Sequence, residues 1–517
     1  MAGRRHFLLP SLSDCLFVSL LVWLFVTGSG WSGLLADGDT GWHIRAGEYV
    51  LDHHRPPTRD LFSFSKAGQP WFAWEWLSDV LFAVVYRQLG LKGVVLLAGA
   101  VLALALTVVF RHMLWRGANV FLALLACLLG AGASGIHYLA RPHVFTLLLL
   151  ALSLWLLEAD RRRPTRAVWA LVPLTAIWTN LHGGFLALPI CLSLLAAGTG
   201  MEMAWSRPNP PQNWFRLRRY GGLLAASSVA TLLNPYGIQL HRHIAGYLRS
   251  EWIQEAVQEF QPPRFRSESS MDFELLLFAG VMLAGSLLHR RQAADALLIL
   301  FWAHAALVSA RHIPIFVVVA SPILTAEASL WWRRWTERQP ARSVPGIFER
   351  LAQDLSKGSQ RSSIWIPLCL AALVFTDRPV AWPRDFPEAK FPVALVQRHG
   401  ARLAGARVFT SDQWGDYLIY RFYPGHKVFI DGRSDFYGPD LGKLYLRLAY
   451  ADAEWRTAFE RYGIELVLAP AEWPLAGLLR QEPSWRVVEE DSRGVLFEKS
   501  RPGPAAKETD PTRRNKQ

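Results

Sequence analysis

The sequence predicts a mainly α-helical, polytopic membrane protein, a bundle of about 11 transmembrane helices followed by a small extracytoplasmic α/β domain. Apolar residues make up 51% of the 517 residues, and charged residues only 19%. Much of the apolar content falls in uninterrupted stretches of about 20 residues, the length that a helix needs to cross a bilayer. The chain carries a net charge of +13, and its basic residues cluster in short loops beside these stretches. That placement indicates membrane topology and argues against a nucleic-acid partner.

The predicted membrane spans all lie within residues 1–377. The first has the flanks of a signal peptide, with Arg4 and Arg5 before it and a TGSG string after it. Its apolar run is long for a signal peptide, and polar residues of interest follow it at once. We therefore interpret it as an uncleaved anchor. The spans are 12–35, 92–110, 119–140, 143–158, 167–182, 184–204, 220–234, 272–288, 292–310, 312–331 and 363–377.

Lys and Arg residues concentrate in every second loop between these spans, which is typical of loops that stay in the cytoplasm. The pattern places the N-terminus in the cytoplasm and the region after 377 outside the bacterial cytoplasmic (inner) membrane. Segment 71–89 is apolar enough to span, but a crossing there would invert every later loop. We therefore expect it to lie along the outer surface of the membrane, where its tryptophans are favourable. It belongs to a first outer loop, residues 36–91.

Residues 378–500 are predicted to form a separate α/β domain outside the membrane. Short apolar or alternating runs (RVFT, KVFI and IELVLA) indicate strands, and they alternate with helical stretches at 413–421 and 441–460. The tail 501–517 lacks apolar content and is predicted to be disordered.

Two strings in this domain carry possible functional residues. They are SDQWGDYLIY, with Trp414 and Asp416, and FIDGRSDFYG, with Asp431 and Arg433. One interpretation is structural: the aromatic residues pack in the core and Asp431 begins a turn. The alternative is a platform for an acceptor or a sugar, with aromatic faces and carboxylates above the membrane site.

Conspicuous polar residues gather at the predicted outer ends of the spans. Ionisable groups at membrane depth are costly, so they usually face a cavity and mark function. Any single one of them is equally well explained as a helix end or a loop residue. Their convergence on one face from five places is harder to explain in that way. The group comprises Asp37, Asp39, His43, Asp60, Glu75, Arg141, His143, Asn180, His182, Asn234, Tyr236, Arg311 and His312.

This set of side chains suits one kind of chemistry. Carboxylates just outside the first span can act as general base toward an acceptor, or hold a divalent metal such as Mg²⁺ or Mn²⁺. Arginine and histidine side chains at the outer ends of later spans can neutralise a phosphate leaving group. A carboxylate opposed by cations at the bilayer edge favours sugar transfer from a polyprenyl-phosphate donor.

The motif Asp37-Gly-Asp39 after the first span resembles the acidic motif in the first outer loop of GT-C glycosyltransferases. That superfamily includes protein O-mannosyltransferases, lipid A aminoarabinose transferases and oligosaccharyltransferases. The loop helix GWHIRAGEYVLDH, the Pro-containing turn and the amphipathic helix before the second span also follow the family order. The string from DGDTGWHIRAGEY to WLSDVLF, with the later RPH, NLHGG and NPYG strings, is similar to a group of uncharacterised bacterial GT-C-like proteins.

The resemblance implies roles for particular residues. Asp39 is the catalytic carboxylate, with Asp37 as its partner and as a second metal ligand if a metal is bound; we place His43 with them. Arg141 and Arg311 bind the donor phosphate, and His143, His182 and His312 join them. Where relatives carry an acidic residue near Arg141, this chain has Pro142-His143, so His143 is a candidate substitute and metal dependence stays open. The predicted acceptor-binding or structural residues are Asp60, Glu75, Asn180, Asn234, Tyr236, Trp414, Asp416, Asp431 and Arg433.

Three functions remain open on these residues. The first is a membrane glycosyltransferase, hexosyl or pentosyl, that acts on a glycan, lipid or protein acceptor among membrane lipids. The second is a transporter or flippase of lipid-linked saccharides, against which the one-sided placement of the charges argues. The third is a non-catalytic scaffold, which predicts that the loop acids are dispensable.

Overall fold

The computed structural model describes residues 7–206, 211–266, 268–340, 342–359, 361, 363–377 and 380–500. The predicted disordered tail, 501–517, lies outside the described residues. The chain is mostly helical, with one small sheet near its C-terminal end. The sequence-based prediction of a mainly α fold is therefore confirmed.

The helices are numbered in chain order. They are α1 (Leu12–Val26), α2 (Trp31–Leu34), α3 (Asp39–His53), α4 (Trp76–Leu89), α5 (Leu91–Trp115), α6 (Val120–Ser134), α7 (His143–Arg162), α8 (Leu171–Leu181), α9 (Ala187–Trp205), α10 (Pro211–Ala230), α11 (Ile238–Arg249), α12 (Glu251–Ala256), α13 (Glu268–His289), α14 (Ala293–Val308), α15 (Ile313–Thr336), α16 (Val344–Ser356), α17 (Trp365–Phe375), α18 (Val393–Leu403), α19 (Asp412–Phe422), α20 (Ser434–Ala449), α21 (Trp455–Tyr462) and α22 (Pro474–Leu479).

All eleven predicted spans fall on helices. Six helical segments of the described chain are long and apolar enough to cross a membrane, and α1, α14 and α17 are shorter apolar helices. The predicted spans 167–182 and 220–234 correspond to α8 and α10, which belong to neither group, so their crossing stays a prediction. Helix α5 has 25 residues, about 37 Å at 1.5 Å per residue, which is more than the hydrocarbon thickness. The chain is a multi-pass membrane protein.

Ion pairs join the ends of several spans. Arg116, just after α5, contacts Glu158 of α7 at 3.3 Å and Asp295 of α14 at 3.0 Å. Arg290, after α13, contacts Glu327 of α15 at 2.5 Å. The loops after α5 and α7 and the start of α14 therefore share one end of the bundle, as the alternation of basic loops predicts.

The C-terminal region contains a four-stranded sheet of β1 (Val408–Thr410), β2 (Leu466–Pro470), β3 (Trp485–Glu490) and β4 (Gly494–Lys499), in the order β1-β2-β4-β3. Strands β1 and β2 are parallel, and β4 pairs antiparallel with both β2 and β3. The RVFT and IELVLA runs are confirmed as strands, whereas the KVFI prediction is wrong. Val428 of that run instead exchanges backbone hydrogen bonds of 2.9 Å with Phe62 and Phe64 of the first outer loop.

The first outer loop is packed between the spans and the C-terminal region. Helices α3 and α4 approach each other so closely at Gly47 that a Cβ there would lie 1.9 Å from the Asp79 backbone oxygen. On its other side α3 packs against α19, where the Arg45 Nε donates to the Tyr420 carbonyl oxygen at 2.9 Å. Helix α3 therefore packs against both α4 and α19.

Candidate active site

A cavity of about 990 Å³ lies between the ends of the spans, the first outer loop and the C-terminal region. Eleven of the residues predicted from the sequence line it, together with apolar side chains of α6, α7 and α9. The eleven are Asp37, Asp39, His43, Glu75, Arg141, His143, His182, Arg311, His312, Asp431 and Arg433. The structure therefore brings together residues that come from widely separated parts of the sequence.

Arg141 is bound by both acids of the DGD motif. Its Nη1 lies 3.0 Å from Asp37 Oδ2, and its Nη2 lies 2.6 Å from Asp39 Oδ2. The other Asp37 oxygen accepts the Asp39 backbone N–H at 2.9 Å, at the start of α3. Burial raises the pKa of Asp39 to about 7, although Arg141 opposes that shift. The two Nη atoms of Arg141 thus contact one carboxylate each, and Asp39 Oδ1 takes no part in this contact.

Glu259 joins this cluster from a later loop. Its carboxylate lies 3.9 Å from Arg141 Nη1 and 3.8 Å from Arg311 Nη1. Burial alone would raise the pKa of Glu259, but the two arginines lower it to about 2. Arg311 also stacks on Phe260, 4.3 Å from the ring centroid. Glu259 therefore places a carboxylate beside Arg141. The second outer loop, with Pro142-His143 after Arg141, supplies no acidic residue of its own there.

The C-terminal region closes over Asp39. Gly432 approaches so closely that a Cβ would lie 1.9 Å from Asp39 Oδ1 and 2.9 Å from Asp416 Oδ2. Both of these buried oxygens lack a hydrogen-bond partner. Burial, with Asp39 and Asp431, holds the pKa of Asp416 well above its usual range. Its other oxygen accepts the Gly432 N–H at 2.9 Å.

A second polar cluster surrounds Glu75. Asp79 Oδ1 lies 2.6 Å from His43 Nδ1, and both side chains are almost fully buried. His43 Nε2 is 3.8 Å from one Glu75 oxygen, and His182 Nε2 is 3.5 Å from the other. Burial raises the pKa of Glu75 to about 8, and burial and Arg141 hold the pKa of His43 well below its usual range.

Two predicted phosphate-binding histidines point into backbone contacts at the cavity wall. His143 Nε2 lies 2.6 Å from the His137 carbonyl oxygen, and His312 Nδ1 lies 3.2 Å from that of Ala305. An imidazole that donates to a carbonyl is fixed in one tautomer. Their binding of phosphate stays a prediction.

The edge of the cavity contains a buried ion-pair cluster of Asp60, Asp431 and Arg433. Arg433 Nη2 is 2.6 Å from Asp431 Oδ2 and 2.8 Å from Asp60 Oδ1, and all three side chains are almost fully buried. Trp71 and Tyr437 pack around the guanidinium. Asp60 also accepts two backbone N–H groups of its own loop. This geometry is that of a structural clamp between the loop and the C-terminal region.

Other predicted residues lie away from the cavity in structural contacts. Asn180 accepts from Trp76 and donates to two backbone carbonyls. Asn234 closes the turn after α10, and Tyr236 packs on Phe72. Trp414 is buried and donates to the Lys390 carbonyl oxygen at 3.0 Å. Each of these side chains has a structural contact, and the assignment of these residues to acceptor binding or to structure stays a prediction.

Two acidic side chains in the clusters around Arg141 and Glu75, Glu259 and Asp79, are not predicted from the sequence. Asp79 has a signal in retrospect, because it follows Glu75 by one helical turn in α4. Glu259 has none, because it lies in a turn between α12 and α13 with no motif around it.

No three His, Cys, Asp or Glu side chains of the described residues converge as metal ligands do. Asp37 and Asp39 each contact Arg141 through their Oδ2 atoms. In this arrangement the two acids fit a guanidinium, and a divalent cation between them would require Arg141 to move.

The fold is similar to that of a solved archaeal oligosaccharyltransferase. The oligosaccharyltransferase AglB of Archaeoglobus fulgidus, in complex with an inhibitory peptide and a dolichol-phosphate, is similar at a TM-score of 0.55 and 12% identity, over 89% of this chain and 69% of that one. The same enzyme tethered to an acceptor peptide gives 0.56 and 11%, over 89% and 68%. ArnT from Cupriavidus metallidurans bound to undecaprenyl phosphate gives 0.48 and 13%, over 94% and 96%. No protein-family model and no curated protein matches the sequence.

Proposed function

We propose that this protein transfers a sugar from a polyprenyl-phosphate donor to an acceptor at the extracytoplasmic face of a bacterial cytoplasmic membrane. The observation that carries the proposal is the cavity in which acidic and cationic side chains meet at one end of the spans, beside apolar side chains of α6, α7 and α9. Such a cavity suits a ligand with a charged head and an apolar chain. The dolichol-phosphate bound to AglB, a protein of the same fold, supports this donor class.

The arginines and the aspartate have separate roles in the proposed reaction. Arg141 and Arg311 are the cations that can stabilise the negative charge on the departing phosphate. Asp39 orients and deprotonates the acceptor hydroxyl once Arg141 turns from its Oδ2 toward the phosphate. The acceptor oxygen then forms a bond with the anomeric carbon, and the bond from that carbon to the phosphate oxygen breaks, with its electrons leaving on the phosphate.

Bound phosphate competes with Asp37 and Asp39 for Arg141. The donor phosphate is a diester with one negative charge, and a guanidinium can bind its two free oxygens through two parallel hydrogen bonds as it binds a carboxylate. Donor binding therefore loosens the contacts of 3.0 and 2.6 Å. This loosening frees Asp39 Oδ2, the oxygen that contacts Arg141, near the reacting sugar. If a divalent metal takes part, Asp37 and Asp39 would hold it, and it would neutralise phosphate charge there.

The test is a mass-spectrometric comparison of lipid-linked and surface glycans in cells with wild-type protein, Asp39→Asn or no protein. We expect the variant and the deletion to lose the same single sugar. The variant must be present in the membrane at the wild-type level. Full activity of Asp39→Asn would remove the assignment of the base.

The same experiment tests the transporter alternative. A deletion that accumulates an intact lipid-linked glycan, with Asp39→Asn behaving as wild type, would favour a flippase. The described ion pairs at the opposite end of the spans are closed contacts such as Arg116 with Asp295, which favours a site open on one side.

A further inference from the structure

The Glu75 carboxyl group lines the cavity and lies between two histidines, His43 and His182. The Nε2 atoms of His43 and His182 lie 3.8 and 3.5 Å from its two oxygens, beyond hydrogen-bond distance. Among the described residues, no Lys or Arg side chain forms an ion pair with it. The other charged or titratable groups that influence it from the surrounding elements are Arg141, Asp435, Asp39, Arg311 and Asp79.

The tautomer of His182 is fixed by its surroundings. The Gly184 backbone N–H donates to His182 Nδ1 at 2.9 Å, so that nitrogen carries no proton in the neutral ring. Thr146 also contacts Nδ1 at 2.9 Å, and it accepts the Trp178 Nε1–H at the same distance. The His182 proton is therefore on Nε2, the atom that faces Glu75.

His43 and Asp79 form a proton-holding pair behind Glu75. Their facing atoms are 2.6 Å apart, and the pair is excluded from solvent. Burial and Glu75 hold the pKa of Asp79 well above its usual range, so the pair keeps a proton between Oδ1 and Nδ1. The Nε2–H of His43 is then able to move to Glu75 while Nδ1 takes the Asp79 proton.

We propose that Glu75 is the general acid of the transfer reaction and that His43, backed by Asp79, returns its proton. This inference rests on the proposed function. As the bond between the anomeric carbon and the phosphate oxygen breaks, the Glu75 proton passes to the departing phosphate, and the acceptor proton passes to Asp39. The Nε2–H of His43 then restores Glu75, leaving Asp79 ionised and His43 protonated on Nδ1, until a proton from the water-accessible cavity returns through Glu75.

Two carboxyl groups of one cavity thus take opposite roles for an electrostatic reason. Burial raises the pKa of Asp39 to about 7, and its contact with Arg141 at 2.6 Å opposes that shift and favours the ionised form. Glu75 has no such contact, and its burial favours the neutral form. Two carboxyl groups held in different environments can act as acid and base in one reaction.

The protonation of Glu75 is measurable without any substrate. Infrared spectra of the full-length protein in detergent are compared between wild type and Glu75→Gln across pH 5–10. We expect the difference spectrum to contain a carboxylic acid carbonyl band that disappears around pH 8. Other buried acids cancel in the difference. Absence of this band at pH 6–7 would mean an ionised Glu75 and would overturn the proposal.

The catalytic role is measured as transfer of the sugar identified in the glycan comparison. Glu75→Gln should lower transfer by about 10²-fold or more, the usual contribution of a general acid, and Glu75→Asp should recover part of it. Asp79→Asn should shift the alkaline limb of the pH profile, which a merely structural residue would not do. An infrared band combined with unchanged transfer in Glu75→Gln would overturn the acid role and leave the transferase intact. Unaltered glycans in the deletion strain would overturn both.

Discussion

At the scale of single residues, the structure distinguishes charged groups that hold the fold from those that serve the cavity. Arg433 is 1% exposed and joins Asp60 of the loop to Asp431 of the C-terminal region. Arg141 is 24% exposed and faces the cavity with Asp37 and Asp39. The same residue types therefore have different consequences when they are removed.

Replacing Arg433 by Met should destabilise the protein by about 3–5 kcal/mol, because two buried carboxylates lose their cation. The measurement is thermal unfolding in detergent. The matched control is Arg447→Met, since Arg447 pairs with Glu454 while both are at least half exposed; it should cost less than about 1 kcal/mol. Equal losses in the two variants would contradict the interpretation as a buried ion-pair cluster.

The Glu75 carboxyl group predicts a pH dependence of stability. Its folded-state pKa of about 8 lies above the ordinary value of 4.5, so the unfolded chain loses this proton first as pH rises. The contribution to stability is complete below about pH 4.5 and is lost between there and about pH 8. Glu75→Gln should therefore unfold at a higher temperature than wild type at pH 8.5 but not at pH 5. An identical difference at both pH values would contradict the raised pKa.

At the scale of elements, the first outer loop depends on close backbone contact between α3 and α4. Gly47 allows that contact, because a Cβ would lie 1.9 Å from the backbone oxygen of Asp79. The approach brings His43 of α3 to Asp79 of α4 at 2.6 Å. A side chain at position 47 would have to move a helix backbone, not a flexible side chain.

Gly47→Ala should therefore separate α3 from α4, lower the unfolding temperature by several degrees and remove the Glu75 infrared band at neutral pH. Gly246→Ala is the control, since Gly246 lies on α11 with open space at its Cβ position. Alanine there should stabilise the helix by up to about 1 kcal/mol. A stable Gly47→Ala protein with unchanged spectra would show that the helices are less closely coupled.

At the scale of the whole molecule, the C-terminal region completes the membrane site. Gly432 packs against Asp39, and Val428 extends the first outer loop through backbone hydrogen bonds. The C-terminal residues Asp431 and Arg433 line the cavity with the span residues. We therefore expect the site to be sensitive to changes far from the spans in sequence.

Gly432→Ala should abolish sugar transfer while the protein remains folded in the membrane, because the new methyl group displaces the C-terminal region from Asp39. The measurement is the glycan comparison together with the unfolding temperature. Gly477→Ala is the control, since a Cβ at Gly477 meets open space. Full transfer by the Gly432 variant would mean that the C-terminal region is not part of the site.

Sequence alone determined the membrane class, the helical positions of the eleven spans and eleven of the polar residues that line the cavity. These properties follow from local signals: apolar length, loop charge and polar residues at helix ends. It also determined two strands of the sheet. The third run, KVFI, has the composition of a strand, but its partner lies in the first outer loop, and composition does not specify a partner.

Only the tertiary structure decided how the polar residues are paired. Asp39 binds Arg141, Glu75 lies between two histidines, and Glu259 reaches both arginines from a turn without a motif. Sequence spacing fixes neighbours within one helix, whereas these contacts join residues of different elements, from 32 (His43 and Glu75) to 118 (Arg141 and Glu259) positions apart. Their pKa values depend on burial and on the charges that packing brings near. The division of roles between Asp39 and Glu75 is therefore a property of the packed molecule.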